Sequence, residues 1–486
     1  VIKEENPMEA VAKYHDMLQG TPMVKRFYER WVADTAFRQA LMDDAPGTLE
    51  QYGLDLEPED IESLLNPGIA EPSPAVQAMW TVAMEKLTAS QAFYQRDHLP
   101  SDERWQTWRA RQIRRQVLDV GPFHASTNIH APYAVELSQG CTMGCWFCAV
   151  DAKRFGGHWE YTPENAAFWQ GALGILQERL GPGAGAGFLY WATEPMDNPD
   201  YERFCLDFAN TTGEFPPTTT AQALKDPART RELLRLSEEW GCWQNRFSVL
   251  SLKLLDRVHA EFSAQELSQV ECLPLTRDAS FSFGNAGRFR ERAMKNPELL
   301  VNQRQKLADH APWYRDNPDY NESEDYPFNT IGCVTGFLFN MVDRTVQLIS
   351  PCTATDEWPL GFFVYGQGSW NSIEEFGDTI NSLIDRYMIP TVRPADHLSL
   401  HDWLKVSPLP NGVRVEGHYR QFVDIEHPGD GEALATTAAL LTTRTQTSTI
   451  VGAVRDQHGC SPDQVHGWLN EFLAAGLLAE ERFQLQ

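Results

Sequence analysis

The 486 residues, 42% hydrophobic and 11% aromatic, are enough to bury a large core and to divide into about two to four domains. Lys and Arg number 41 against 67 Asp and Glu, and the net charge of -26 repels phosphate backbones, so nucleic acid is not an expected partner. No apolar run approaches the roughly 18 residues that cross a bilayer, and Val1-Ile2-Lys3-Glu4-Glu5-Asn6 lacks the order of a signal peptide, so the expected setting is the cytoplasm without a membrane partner.

Residues 1–120 read as a helical region: Phe27, Trp31 and Phe37 precede Leu41, and Gly53 is a helix stop before Leu54-Asp55-Leu56-Glu57-Pro58. From about 121 to 325, short apolar runs alternate with amphipathic helices, the pattern of strand-helix units on a parallel sheet, and the expected class is α/β. Ala134-Val135-Glu136-Leu137 is the first strand and leads into a cysteine loop. Thr162 caps the next helix, Pro163 suits its first position, and Gly181-Pro182-Gly183 stops it. Gly187-Phe188-Leu189-Tyr190-Trp191 is the second strand, and Pro199 opens a helix with Tyr201, Phe204, Cys205 and Phe208 inward. Thr218 to Ala221 is the third strand, with Asp226-Pro227 opening its helix. Arg246 to Leu250 is the fourth, and Gln269 to Leu273 a weaker fifth.

Residues 326–428 form an extension. In it Gly336 to Met341 and Thr345 to Ile349 flank Val342-Asp343-Arg344 as a β-hairpin that delivers Cys352 at its end. Residues 429–486 read as a small winged-helix-like module: Ser461-Pro462-Asp463-Gln464 is a capping box, Val465, Trp468, Leu469 and Phe472 form an inner face, and Gly476 ends the helix.

Of the nine cysteines, Cys141, Cys145 and Cys148 stand within eight residues, which suits one loop holding three thiolates. A structural zinc takes four protein ligands, often as two pairs; no second cysteine pair accompanies this one, and His158 is a candidate fourth ligand. Each scattered cysteine has the plain alternative of a small buried apolar side chain.

The spacing Cys141-Thr-Met-Gly-Cys145-Trp-Phe-Cys148, with an aromatic at Phe147, resembles the signature of the radical S-adenosylmethionine (SAM) superfamily. The resemblance implies a partial (β/α)6 barrel and a 4Fe-4S cluster on the three cysteines, with one iron open to chelate SAM. It also implies a reaction in which an electron from the cluster cleaves SAM to a 5′-deoxyadenosyl radical that abstracts a substrate hydrogen. Ala192-Thr193-Glu194-Pro195 is a partial match to the acidic motif after the second strand. It lacks the usual glycines, but Glu194 retains the carboxylate expected to accept the SAM ammonium. Phe147 is expected at the adenine, and Thr220 and Ser248 at the ribose or methionine parts; a sheet-end hydroxyl also caps helices.

More loosely, Pro217 to Gln222, Arg246 to Ser251, Leu348 to Cys352 and Glu357 to Gly361 are similar to proteusin-type epimerases, which convert L residues to D in ribosomally made peptides. That resemblance implies a precursor peptide carrying a leader, an external electron donor, and a thiol that returns hydrogen to a Cα radical. Cys352 is the candidate donor and Cys333 the reserve. The C-terminal module resembles domains that bind a leader by strand addition, and the N-terminal Phe37-Arg-Gln-Ala-Leu41 through Leu56 is similar to nitrile-hydratase-like leaders. Two alternatives stay open: another radical SAM modification such as thioether or carbon-carbon cross-linking, and a zinc-stabilised peptide-binding protein without catalysis.

Overall fold

Alternating caps and apolar positions set out the N-terminal helices of the computed structural model, which describes residues 21–65, 71, 73–280, 282–310 and 332–482. Helices Pro22–Ala33, Thr35–Asp43 and Ala45–Gln51 follow one another closely because Asp34 and Asp44 each cap the next. Phe27, Phe37, Leu41, Leu49, Leu54 and Ile61 share one small core, with Trp31 partly buried against it. The span Glu103–Thr127 is two helical segments that meet at Gly121, whose φ of +81° and ψ of 160° are not helical, just before Pro122 and next to the expected limit of 120. Val1 to Asn6 lies outside the described residues, among which no helix is long and apolar enough to cross a membrane.

The first strand, β1 (Ala131–Glu136), is flanked by a two-residue ladder, β2 (Ser138–Gln139) with β3 (Gly157–His158), that closes the base of the cysteine loop. The expected second strand, Gly187 to Trp191, is reduced to one parallel bridge: Val135 N donates to Phe188 O at 2.9 Å, and the chain then turns away. A Cβ on Gly187 would stand 2.3 Å from the Tyr133 ring, so the glycine permits this close crossing. β4 (Thr219–Thr220), β5 (Asn245–Val249) and β6 (Val270–Pro274) pair in parallel in that order. Between strands lie helices Pro163–Leu180, Tyr201–Thr212, Pro227–Glu239 and Leu252–Glu261. Thr162 accepts Asn165 N at 3.2 Å, and Gly181 ends that helix at φ +53°, both at the positions the sequence indicates.

On the other side of β1, β7 (Val334–Asn340) runs parallel, followed by antiparallel β8 (Thr345–Pro351) and β9 (Phe362–Ser369). The hairpin is therefore part of a four-stranded sheet ordered β1-β7-β8-β9. The described residues form a mixed α/β body in which no barrel closes.

Strands that precede residue 429 pack with the helices of the expected 429–486 module. β10 (His397–Leu398) pairs with β14 (Thr445–Gln446), and β11 (Lys405–Leu409), β12 (Gly412–Glu416) and β13 (Phe422–Glu426) form an antiparallel meander. Helices Gly431–Leu440, Thr447–His458 and Pro462–Ala474 pack on it. Val392, Val413, Val415 and Ile425 share a core with Leu434, Val454, Trp468 and Phe472, and Leu118 joins it from the N-terminal side. A three-helix segment alone buries too little apolar surface, and the strands supply the missing face.

Candidate functional site

The cysteine loop leaves the sheet at Gly140, at φ +73°, where a Cβ would stand 2.5 Å from the Lys153 and Arg154 carbonyl oxygens, so only glycine fits. Cys141 N donates to Lys153 O at 2.9 Å and Gly156 N to Gln139 O at 2.8 Å, so both ends of the loop are held. The three thiols are partly exposed. Met143 N donates to Cys141 Sγ and Ala152 N to Cys148 Sγ, each at 3.3 Å. Burial, reinforced by the nearby Cys148 and Cys141 sulfurs, pushes the Cys145 thiol up to about 11. Burial also raises Cys141, and the Glu194 and Asp197 carboxylates add to the rise. Burial, and after it the neighbouring negative groups, thus disfavour the thiolates of Cys141 and Cys145 unless a cationic group shares them.

The donor set of three thiolates on one glycine-bearing loop, two of them already receiving backbone N–H groups, fits an iron-sulfur cluster by its chemistry. Among the described residues no three His, Cys, Asp or Glu side chains are gathered to hold a single metal ion.

Glu194 follows the Phe188 bridge and is buried. It accepts Met196 N at 3.2 Å, Ala221 N at 2.9 Å and the Thr220 hydroxyl. Burial raises its pKa against these three donors. Asp197, three residues on in the short 3₁₀ turn Pro195–Asp197, joins the two loops directly. It accepts Thr142 N at 3.0 Å, Thr142 Oγ1 at 2.8 Å and Gln222 Nε2 at 3.0 Å. Gln222 Nε2 also donates to Thr142 Oγ1 at 2.6 Å. The residue inside the Cys141–Cys145 interval is thus tied to the turn that carries Glu194. Sequence reasoning passed over Asp197, Thr142 and Gln222; the one available signal was a second acid in the turn after Glu194-Pro195.

Thr220 and Ser248 line a common cavity of about 10 Å³ with Ala221 and Phe247. The Thr220 hydroxyl is engaged by Glu194 and accepts Gln222 N at 2.9 Å, so it acts within the protein as an orienting group. Phe147 stacks on Phe283 with ring centroids 4.5 Å apart, in a cluster with Trp146 and Phe289. His158 sits in β3, paired with Ser138.

Cys352 is 0% exposed and stands apart from this group. β8 runs antiparallel to β7, which is parallel to β1, so Cys352 lies near the starting ends of those strands whereas Cys141 follows the finishing end of β1. Arg115 donates to Ser350 Oγ at 3.1 Å and to Pro351 O, and Asp119 accepts Thr353 N at 3.0 Å. Burial holds the Cys352 thiol well above its usual range; Asp119 adds to the rise while Arg115 and Arg482 oppose it. Its loop nevertheless reaches back: Cys352 N donates to Gly361 O at 2.9 Å, and Pro359 O accepts Gly287 N at 2.8 Å beneath the cysteine loop. Cys333 precedes β7, and its carbonyl accepts Ala131 N at 2.7 Å, which also puts it at the starting end of β1.

No family model matches the chain, and no solved structure matches it. A protein of Sinorhizobium fredii, "Uncharacterized protein y4wI", is 39% identical over 384 residues, which cover 76% of this chain and 71% of that protein. An identity of that level, spanning most of both chains, means that this chain belongs to the same family as y4wI.

Proposed function

We propose that this chain is a radical SAM enzyme of the partial (β/α)6 type that inverts L residues to D in a ribosomally made peptide. The observation that carries the first half is the joining of the three-cysteine loop to the Glu194 turn through Asp197 and Thr142. Cys141, Cys145 and Cys148 would hold a 4Fe-4S cluster, which when bound supplies the electron that cleaves SAM to its 5′-deoxyadenosyl radical. Glu194 would accept the SAM ammonium in exchange for one of its three donors, a charge-assisted bond in a buried setting. Asp197 and Gln222 keep that carboxylate and the loop in register.

The epimerase half is supported by the resemblance of the segments around Cys352 and by the backbone link from its loop to Gly287. A Cα radical of a peptide is close to planar, and a thiol with a weak S–H bond can return hydrogen from the opposite face, leaving a thiyl radical that one electron from the external donor and one proton from solvent would restore to the thiol. The deep burial of Cys352 protects such a thiol from adventitious oxidation until a peptide approaches. The cytoplasm suits this chemistry, since its thiols stay reduced and it supplies an external electron donor. The C-terminal unit would receive the leader along the outer edge of β13, beside Trp468 and the His427–Glu471 pair.

The test is anaerobic reconstitution followed by turnover in deuterated water. Wild type should carry about four irons and form 5′-deoxyadenosine, and the Cys141→Ala, Cys145→Ala, Cys148→Ala variant should do neither. Each inverted residue should gain one deuterium at Cα, and Cys352→Ala should still cleave SAM yet lose the D product. A cluster retained by the triple variant sinks the superfamily reading. Product lighter by two hydrogens, or inversion that survives Cys352→Ala, sinks the epimerase reading or the donor assignment respectively.

A further inference from the structure

Gly287 and Arg288 open the helix Gly287–Lys295, and they make contacts in two directions that nothing in the local sequence foretells. Toward the cysteine loop, Arg288 N donates to Cys148 O at 3.0 Å, Arg288 Nη1 to Cys145 O at 3.2 Å and Nη2 to Ala152 O. Arg288 Nε completes the grip on Asp151 at 2.8 Å. One planar guanidinium therefore holds residues 145, 151 and 152 together, a geometry that a lysine, with its single point charge, does not reproduce. Gly287 lies under the same loop at φ +52°, and a Cβ there would stand 2.5 Å from Ala149 O and 2.6 Å from Cys148 O.

Toward the other side, Gly287 N donates to Pro359 O at 2.8 Å and Arg290 Nη2 to Asp356 at 2.8 Å. Pro359 lies in the short segment that returns from Cys352, whose N–H closes it on Gly361 O. The start of this helix is thus the shared support of two loops that the chain separates by about two hundred residues.

We propose that Arg288 is a positioning residue which, with Gly287, locks the cysteine loop and the Cys352–Gly361 segment onto one helix end, so that order in one segment sustains order in the other. The inference rests on the radical SAM reading for its purpose, but the coupling itself is a property of the metal-free chain. Arg288 touches loop carbonyls rather than the thiols, so its part is to hold the three cysteines at fixed spacing and to keep the hydrogen-donor segment in register with them.

The experiment is amide hydrogen exchange on the metal-free full chain, comparing wild type, Arg288→Gln and Arg288→Lys, with the β11–β13 meander as an internal reference. Loss of the fork should speed exchange roughly tenfold or more in both 145–152 and 353–361, with the reference unchanged. Arg288→Lys should give a smaller change in the same two segments, and it serves alone if Arg288→Gln does not fold. Unaltered exchange in 145–152 overturns the clamp, and loosening there without loosening in 353–361 overturns the coupling. A second readout separates the inference from the reading beneath it. Reconstituted wild type should hold iron and sulfide that Arg288→Gln loses faster on dilution; wild type that takes up no cluster overturns the radical SAM reading, whereas equal retention in both proteins overturns the role of Arg288.

Discussion

Glu136 ends β1 within a few residues of the cysteine loop, and Asn340 Nδ2 on the neighbouring strand donates to its carboxylate at 2.7 Å. Burial, with a contribution from Asp343, overrides that bond and raises its pKa from 4.5 to about 8. A carboxyl whose folded pKa is raised binds more protons folded than unfolded, so it favours the folded state below 4.5 and loses that contribution as pH rises to about 8. Glu136→Gln should flatten the pH dependence of stability in that window, where the wild-type slope from this group is on the order of 1.4 kcal/mol per pH unit. Denaturant midpoints measured across the window check this, and parallel curves for the two proteins would show that Glu136 is ionised throughout. Glu194 shows the same tension, a buried acid held by three donors, and the residue scale is where the site's chemistry resides.

Among the elements, β13 presents the most open question of partnership, since its pairing among the described residues is with β12 alone. Gly417 N donates to Gln421 O and His427 N to Asn411 O, so by the two-residue alternation of an antiparallel pair the N–H groups of Phe422, Asp424 and Glu426 point away from β12. A leader peptide adding as a strand would use those groups. Asp424→Pro removes the central outward N–H and leaves the β12 ladder intact, whereas Asp424→Ala removes only the exposed pair with Arg414. Leader affinity, read by fluorescence anisotropy, should fall roughly tenfold in the proline variant, about the value of one lost charge-neutral bond plus the local misfit, and hold in the alanine variant. Equal affinity in both would place the leader elsewhere. The helix ends were legible here because capping is local: Thr162, Asp226 and Ser461 each accept the N–H three residues on, as their neighbours in sequence require. The second strand was not, because its pairing depends on where β1 and Tyr133 stand.

At the scale of the molecule, the long helix Glu103–Thr127 joins the C-terminal unit to the sheet. Arg111, almost fully buried, holds Glu480 through Nε at 2.9 Å and donates to Ile389 O at 2.7 Å, while Gln112 reaches the same carboxylate. Arg114 donates to Ala474 O at 2.7 Å, and Leu118 enters the C-terminal core. Removing one partner of a buried ion pair leaves the other charge uncompensated, at a cost of about 3–5 kcal/mol. Glu480→Ala should therefore speed proteolytic release of the C-terminal unit near residues 389–396 while the rest of the chain stays resistant; release at the wild-type rate would mean that packing around Leu118 alone holds the unit.

By itself the sequence determined what depends on near neighbours: the three-cysteine loop after an apolar strand, the capped helices, the β7–β8 hairpin and the inner face of the last helix. Those features need only spacing, capping and period. The tertiary structure alone decided that Asp197 and Gln222 grip the cysteine loop, that Arg288 holds that loop while the adjacent Gly287 meets Pro359 after Cys352, and that Cys352 and Cys333 sit at the starting ends of β1 and β7. It also decided that four strands before residue 429, β10 to β13, share a core with the helices after it. Strand direction and side-chain contacts between distant segments follow from how apolar faces are buried together, and a linear pattern carries no record of which face meets which.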